Sequence, residues 1–128
     1  MTEKKVKVLL IEDDVDMSEA VRLRLQSNGY DVLVAHDGLE GFDRARAEKP
    51  DLIILDVMLP KMDGFTLCRM LKYDESYKSI PVIMFTARVQ KTDIQHGTEV
   101  GANAYVTKPF KAEELLAKIN ELINHKKP

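Results

Sequence analysis

Cysteine is nearly missing from this chain: Cys68 is the only one among 128 residues. A single thiol can form neither an internal disulfide framework nor a cysteine-rich zinc site, and this points to a reducing compartment. An excess of either charge is missing too, since 19 Lys and Arg face 21 Asp and Glu for a net of −2 and a sequence pI near 5.9. With no basic field to hold a phosphodiester backbone, direct nucleic-acid binding by this domain is not expected. Long hydrophobic runs are absent as well. Val8-Leu9-Leu10-Ile11 and Leu52-Ile53-Ile54-Leu55 fall far short of the roughly 20 apolar residues that cross a bilayer. No signal peptide is read ahead of them, so the expected location is the cytoplasm, with no membrane association. A composition of 45% hydrophobic and 31% charged residues, with 6 Gly and 5 Pro, excludes disorder as the default state. The length fits one domain over residues 1–128, with its core at about 5–124.

Five short apolar runs are present, at 6–11, 30–35, 52–56, 82–86 and 104–107. They are apolar at successive positions, not at every second one, which suits strands buried on both faces of a parallel sheet. Stretches with helical spacing lie between them. The first has Met17, Ala20, Val21 and Leu25 on one face, with Asp16 expected as N-cap and Gly29 just past the end. The second runs from Leu39 through Phe42 to Ala45 and is stopped by Pro50, and the third carries Phe65, Cys68 and Leu71. The fourth, over 91–100, has the weakest pattern. The last has the clearest stripe, Leu115, Leu116, Ile119, Leu122 and Ile123, with Glu114 and Lys118 spaced as an i,i+4 pair. Five alternations of strand and helix predict a three-layer α/β/α sandwich around a parallel sheet, with right-handed crossovers. In such sheets ligands bind beyond the carboxyl ends of the strands, so function is sought just after each apolar run.

Polar chemistry stands there each time. Glu12-Asp13-Asp14 follow the first run, Asp56 ends the third, Thr86-Ala87 end the fourth, and Thr107-Lys108-Pro109-Phe110 end the fifth. Acids from two strands that converge must repel unless a cation neutralises them or one takes a proton. Hard oxygen donors in this number suit Mg²⁺ or Mn²⁺. Any one of these residues alone could be an acidic helical turn or a strand end. Their joint placement at four strand ends favours a site.

In these motifs the chain resembles the receiver domains of bacterial two-component response regulators, including the single-domain chemotaxis type. The resemblance rests on Leu10-Ile11-Glu12-Asp13-Asp14, Leu55-Asp56-Val57-Met58-Leu59-Pro60, Met62-Asp63-Gly64, Phe85-Thr86-Ala87, and the run from Gly101 to Phe110, and it covers about residues 5–123. It implies a flavodoxin-like (βα)5 fold with strand order 2-1-3-4-5. It also implies that Asp56 accepts a phosphoryl group from a sensor histidine kinase or phosphotransfer protein. Asp14 and Asp56 are expected to hold the metal directly, Asp13 directly or through water, and the main-chain carbonyl of Met58 to complete the set. Lys108 is expected to meet a phosphoryl oxygen, Thr86 to bond the attached group, and Tyr105 to move with it, with Lys108–Pro109 in cis. The resulting change on the face of the last two helices and last strand would control a partner protein or a fused output domain, from a monomer or a phosphorylation-dependent homodimer. On this reading the chain is no enzyme beyond its own phosphotransfer and autodephosphorylation.

Three other readings compete. The chain could be a receiver module from a larger regulator or hybrid kinase. An aspartyl-nucleophile phosphohydrolase would usually place a second Asp two residues after the nucleophile, where this chain has Met58. A flavodoxin-like cofactor binder would cradle phosphate after the first strand, where Glu12-Asp13-Asp14 would repel it, and no G-x-G-x-x-G or P-loop pattern is present.

Overall fold

The three central strands are wrapped in apolar side chains on both faces, and the rest of the architecture follows from covering them. A computed structural model describes residues 5–86, 101–109 and 111–126, the side chains of 125 and 126 excepted. The elements in chain order are β1 (Lys7–Ile11), α1 (Val15–Ser27), β2 (Asp31–Ala35), α2 (Gly38–Glu48), β3 (Leu52–Asp56), α3 (Gly64–Lys72), β4 (Val82–Thr86), β5 (Ala104–Thr107) and α4 (Ala112–Lys126). The helix expected over 91–100, together with Ala87 and Phe110, lies outside the described residues.

All strand pairings are parallel, in the order β2-β1-β3-β4-β5. Successive side chains on a strand point to opposite faces, so each central strand feeds two cores. Val8, Leu10, Leu52, Ile54, Ile83 and Phe85 pack with Val21 and Leu25 of α1 and Leu115, Ile119 and Ile123 of α4. Leu9, Ile11, Ile53, Leu55, Val82 and Met84 pack on the other side with Ala45 of α2 and Leu67, Cys68 and Leu71 of α3. The fold is thus the flavodoxin-like three-layer sandwich expected. Each such side chain, fully buried, stabilises the fold by ~1.5–3 kcal/mol, which explains why runs apolar at every position become the middle of the sheet. Edge strands β2 and β5 are only partly buried. Among the described residues no helix is long and apolar enough to cross a membrane.

Several local features differ from the sequence expectation. The N-cap of α1 is Asp14, not Asp16: its carboxylate accepts the Met17 N–H at 3.0 Å and its carbonyl accepts the Ser18 N–H at 2.9 Å. Asp16 sits in the first turn, where it complements the helix dipole. Lys118 pairs with Glu121 at 3.7 Å instead of with Glu114. Gly29, at φ 90, ends α1 in the left-handed conformation that favours glycine. Asn103 fastens the start of β4, since its N–H bonds the Val82 carbonyl at 2.8 Å and its Oδ1 accepts the Val82 N–H at 2.9 Å.

The order of the strands reverses between β1 and β3. The connection after β1 runs to β2 on one side, and the chain then returns to build β3, β4 and β5 on the other. A crevice opens at their carboxyl ends.

Candidate functional site

Glu12 and Asp13 leave the end of β1, and Asp56 ends β3. One carboxylate oxygen from each lies within 4.8 Å of the others. Glu12 is wholly buried, Asp56 is 4% exposed, and Asp13 is open to solvent. Lys108 enters from beyond β5, its Nζ 2.9 Å from Asp56 Oδ2 and 2.5 Å from Glu12 Oε1. The bond that follows it, Lys108–Pro109, is cis as expected. The Lys108 main chain is anchored by its N–H, which donates to the Thr86 carbonyl at 2.8 Å. The other Asp56 oxygen, Oδ1, accepts the Met58 N–H at 3.1 Å.

The electrostatics follow from this crowding. Burial first, then the neighbouring Asp56 carboxylate, push the Glu12 carboxyl up to about 7, against the pull of the Lys108 ammonium. Burial pulls Lys108 down, but hydrogen bonding and attraction from Glu12 and Asp56 outweigh it, so its pKa is raised. Glu12 Oε1 is buried and has the Lys108 ammonium as its close counter-ion. Three carboxylates thus gather beside one ammonium. Such a set of hard, charged oxygens fits a divalent cation.

The structure separates the three consecutive acids. Asp14, expected to be a direct metal ligand, spends its carboxylate on capping α1 and is not part of the cluster. Glu12, which the sequence reading left without a role, takes the interior place. The signal was its parity with Val8 and Leu10, which points inward along the same strand. Asp13, Asp56 and Lys108 do converge.

Thr86 is buried at the end of β4, next to the pairing of Asp56 with Phe85. In the β4–β5 register Met84 faces Tyr105 and Thr86 faces Thr107, so period two puts Thr86 and Tyr105 on one face. That face is the α3 side, where Tyr105 packs half-buried. Met58 is 66% exposed on the β3–α3 loop, which lines a cleft of about 430 Å³ with Asp13, Val57, Leu59, Pro60 and Asp63. The loop closes tightly over the strand end: Gly64 N–H donates to the Val57 carbonyl at 2.9 Å, and a Cβ at Gly64 would lie 2.2 Å from the Asp56 carbonyl oxygen.

An acid cluster at the switch point of a parallel sheet, with a hydroxyl and an ammonium from the next two strands, defines a signalling domain of the receiver type. The profile of the response regulator receiver domain matches residues 8–120, and the chain belongs to that family. It is a switch module of two-component signalling. The chain is 47% identical over 117 residues to the DNA-binding dual master transcriptional regulator RpaA of Synechocystis sp., covering 91% of this chain and 48% of RpaA. Among solved structures it is similar to the chemotaxis protein CheY4 of Vibrio cholerae (34% identity, TM-score 0.89, 93% of this chain and 99% of that one). It is also similar to the receiver domain of sensor histidine kinase PA1611 of Pseudomonas aeruginosa, solved with a magnesium ion in its active-site cleft (30% identity, TM-score 0.87, 94% and 99% covered). The chain spans about half the length of the curated relatives it matches.

Proposed function

We propose that Asp56 is the phosphoacceptor and that its carboxylate is loaded from a phosphohistidine on a sensor histidine kinase or phosphotransfer protein. The observation that carries this reading is the Asp56 carboxylate itself, held at Oδ2 by Lys108 and at Oδ1 by the Met58 N–H, beside two further acids. In the transfer an Asp56 oxygen forms a bond to phosphorus while the P–N bond of the phosphohistidine breaks, and the imidazole leaves with its electron pair. Lys108 places a compact positive charge where the phosphoryl oxygens gather charge.

Asp13 and Asp56 are the direct ligands we assign to Mg²⁺ or Mn²⁺, with Glu12 behind them and the Met58 carbonyl as the main-chain donor. The magnesium-bearing PA1611 receiver supports the choice of metal. When bound, the cation supplies charge that offsets the repulsion between the acids and an incoming phosphoryl group. Thr86 then donates its hydroxyl to the attached phosphoryl group, and Tyr105, on the same face two positions before Thr107, shifts with it. The modification biases two packings of the β4–β5 end, which a partner protein or an output domain reads.

The test is incubation with Mg²⁺ and acetyl phosphate followed by intact mass measurement. One phosphoryl addition is expected, dependent on Mg²⁺ and absent in Asp56→Asn. Stoichiometric modification of Asp56→Asn would overturn the assignment.

A further inference from the structure

At the carboxyl end of β2, His36 Nδ1 lies 3.0 Å from the main-chain oxygen of Glu12. A carbonyl only accepts, so Nδ1 carries the proton and donates it. The Glu12 N–H in turn donates to the Ala35 carbonyl at 2.9 Å. Both main-chain groups of the wholly buried acid of the cluster are therefore held by Ala35, the last residue of β2, and by His36 just after it. The Glu12 carbonyl belongs to the planar peptide unit that joins Glu12 to Asp13. Whatever orients that plane orients both acids that follow β1 relative to Asp56.

His36 is itself fixed. Its N–H donates to Glu40 Oε1 at 2.7 Å, while the Glu40 N–H donates to Asp37, the N-cap of α2, at 2.8 Å. The same corner holds the opposite wall of the cleft: Asp37 pairs with Lys61 at 3.4 Å, and the Gly38 N–H donates to the Pro60 carbonyl at 3.3 Å. The imidazole is thus a strut between a capped helix start and the strand end that carries the acids. Sequence spacing showed nothing of this, because His36 lies 24 residues from Glu12 and meets only its backbone.

We propose that His36 is a positioning residue for the cation site, donating from Nδ1 to the Glu12 carbonyl and so setting the plane of the peptide between Glu12 and Asp13. The inference rests on the reading of this pocket as a Mg²⁺-dependent phosphoacceptor site. It predicts an effect on cation affinity, with the rate of phosphorylation at saturating Mg²⁺ close to wild type.

The experiment uses the full chain and titration calorimetry with MgCl₂, on wild type, His36→Leu and His36→Asn. Asn places its Nδ2 where His places Nδ1, and Leu has the same shape without a donor. His36→Leu is expected to raise the Mg²⁺ Kd roughly three- to tenfold, as lost outer hydrogen bonds to metal sites do, and His36→Asn to restore it. An unchanged Kd in His36→Leu, or an Asn variant as weak as Leu, overturns the proposal. A long-range ¹H–¹⁵N spectrum of the wild type gives a readout that needs no variant: an Nδ1–H tautomer at His36 is expected, and a neutral Nε2–H ring overturns the strut. Acetyl phosphate loading is read in parallel. A wild type that binds Mg²⁺ but takes no phosphoryl group sinks the functional reading and leaves the His36 comparison standing, while a wild type that binds no Mg²⁺ sinks both.

Discussion

Lys108 Nζ lies 2.9 Å from Asp56 Oδ2 across 52 residues of sequence, joining the end of β5 to the end of β3. The ammonium serves as the resident counter-ion of the carboxylate proposed as the phosphoacceptor. Replacing it should split two properties. Lys108→Ala removes the positive charge that competes with a cation, so Mg²⁺ binding by calorimetry is expected to be retained or tightened. The same change removes a preorganised charge from the transition state, and the rate of loading from acetyl phosphate is expected to fall by ~10²-fold. Loss of Mg²⁺ binding together with loading would show that Lys108 holds the fold of the pocket and does not act in the transfer.

Asp13 and Asp14 are chemically alike and adjacent, yet the structure gives them separate tasks. Asp14→Ala removes the cap of α1 and is expected to cost about 1 kcal/mol of stability, read by urea unfolding, with Mg²⁺ affinity near wild type. Asp13→Asn is expected to do the reverse, leaving the unfolding midpoint near wild type or raising it while weakening Mg²⁺ strongly. The pair of measurements decides which acid faces the metal.

Removal of metal exposes the pH dependence of the pocket. Glu12 is raised from 4.5 to about 7 in the folded chain, so the folded state holds that proton more tightly than the unfolded one. The stability this contributes is complete below the unfolded value and is lost as pH rises through the folded one. In EDTA, Tm is therefore expected to fall between about pH 5 and pH 8. Glu12→Gln, which cannot ionise, should flatten that slope and raise Tm at the alkaline end. An identical slope in the variant would place the dependence on other groups.

Gly64 carries the closure of the β3–α3 loop against the end of the strand that bears Asp56. A methyl there meets the Asp56 carbonyl oxygen at 2.2 Å, with Val57 Cα at 2.8 Å, and neither is a flexible side chain that could yield. Gly64→Ala is expected to destabilise by ~1–3 kcal/mol through backbone displacement. Because the displaced atoms adjoin Asp56, Mg²⁺ affinity should fall with it.

Much of this molecule could be read from its residues, for a physical reason. Strands buried on both faces need continuous apolar runs, so β1, β3 and β4 announce themselves, and whatever polar residue ends such a run must sit at the rim. Asp56 and Thr86 were visible on that ground, and Lys108 by its place just after the fifth run. The partition of Glu12, Asp13 and Asp14 was not, because it turns on where α1 begins. A helix starting at Val15 consumes Asp14 as its cap and leaves Glu12 on the strand with its side chain inward, whereas a cap at Asp16 would have freed Asp14 for the cleft. The His36 strut was invisible for a different reason: it acts on a carbonyl, which every residue has, so no pattern of side chains marks its target.

The two-sided sheet has a consequence for how such chains diversify. Every group assigned to the chemistry projects from a strand end or the loop just after it, whereas the outward surfaces of the helices, including Leu23 on α1, Leu39 on α2 and Met70 on α3, contribute nothing to it. Reactivity is therefore carried by positions apart from those surfaces. Mutations can rewrite the outer faces of the helices at little cost to the core, while the pocket is inherited unchanged.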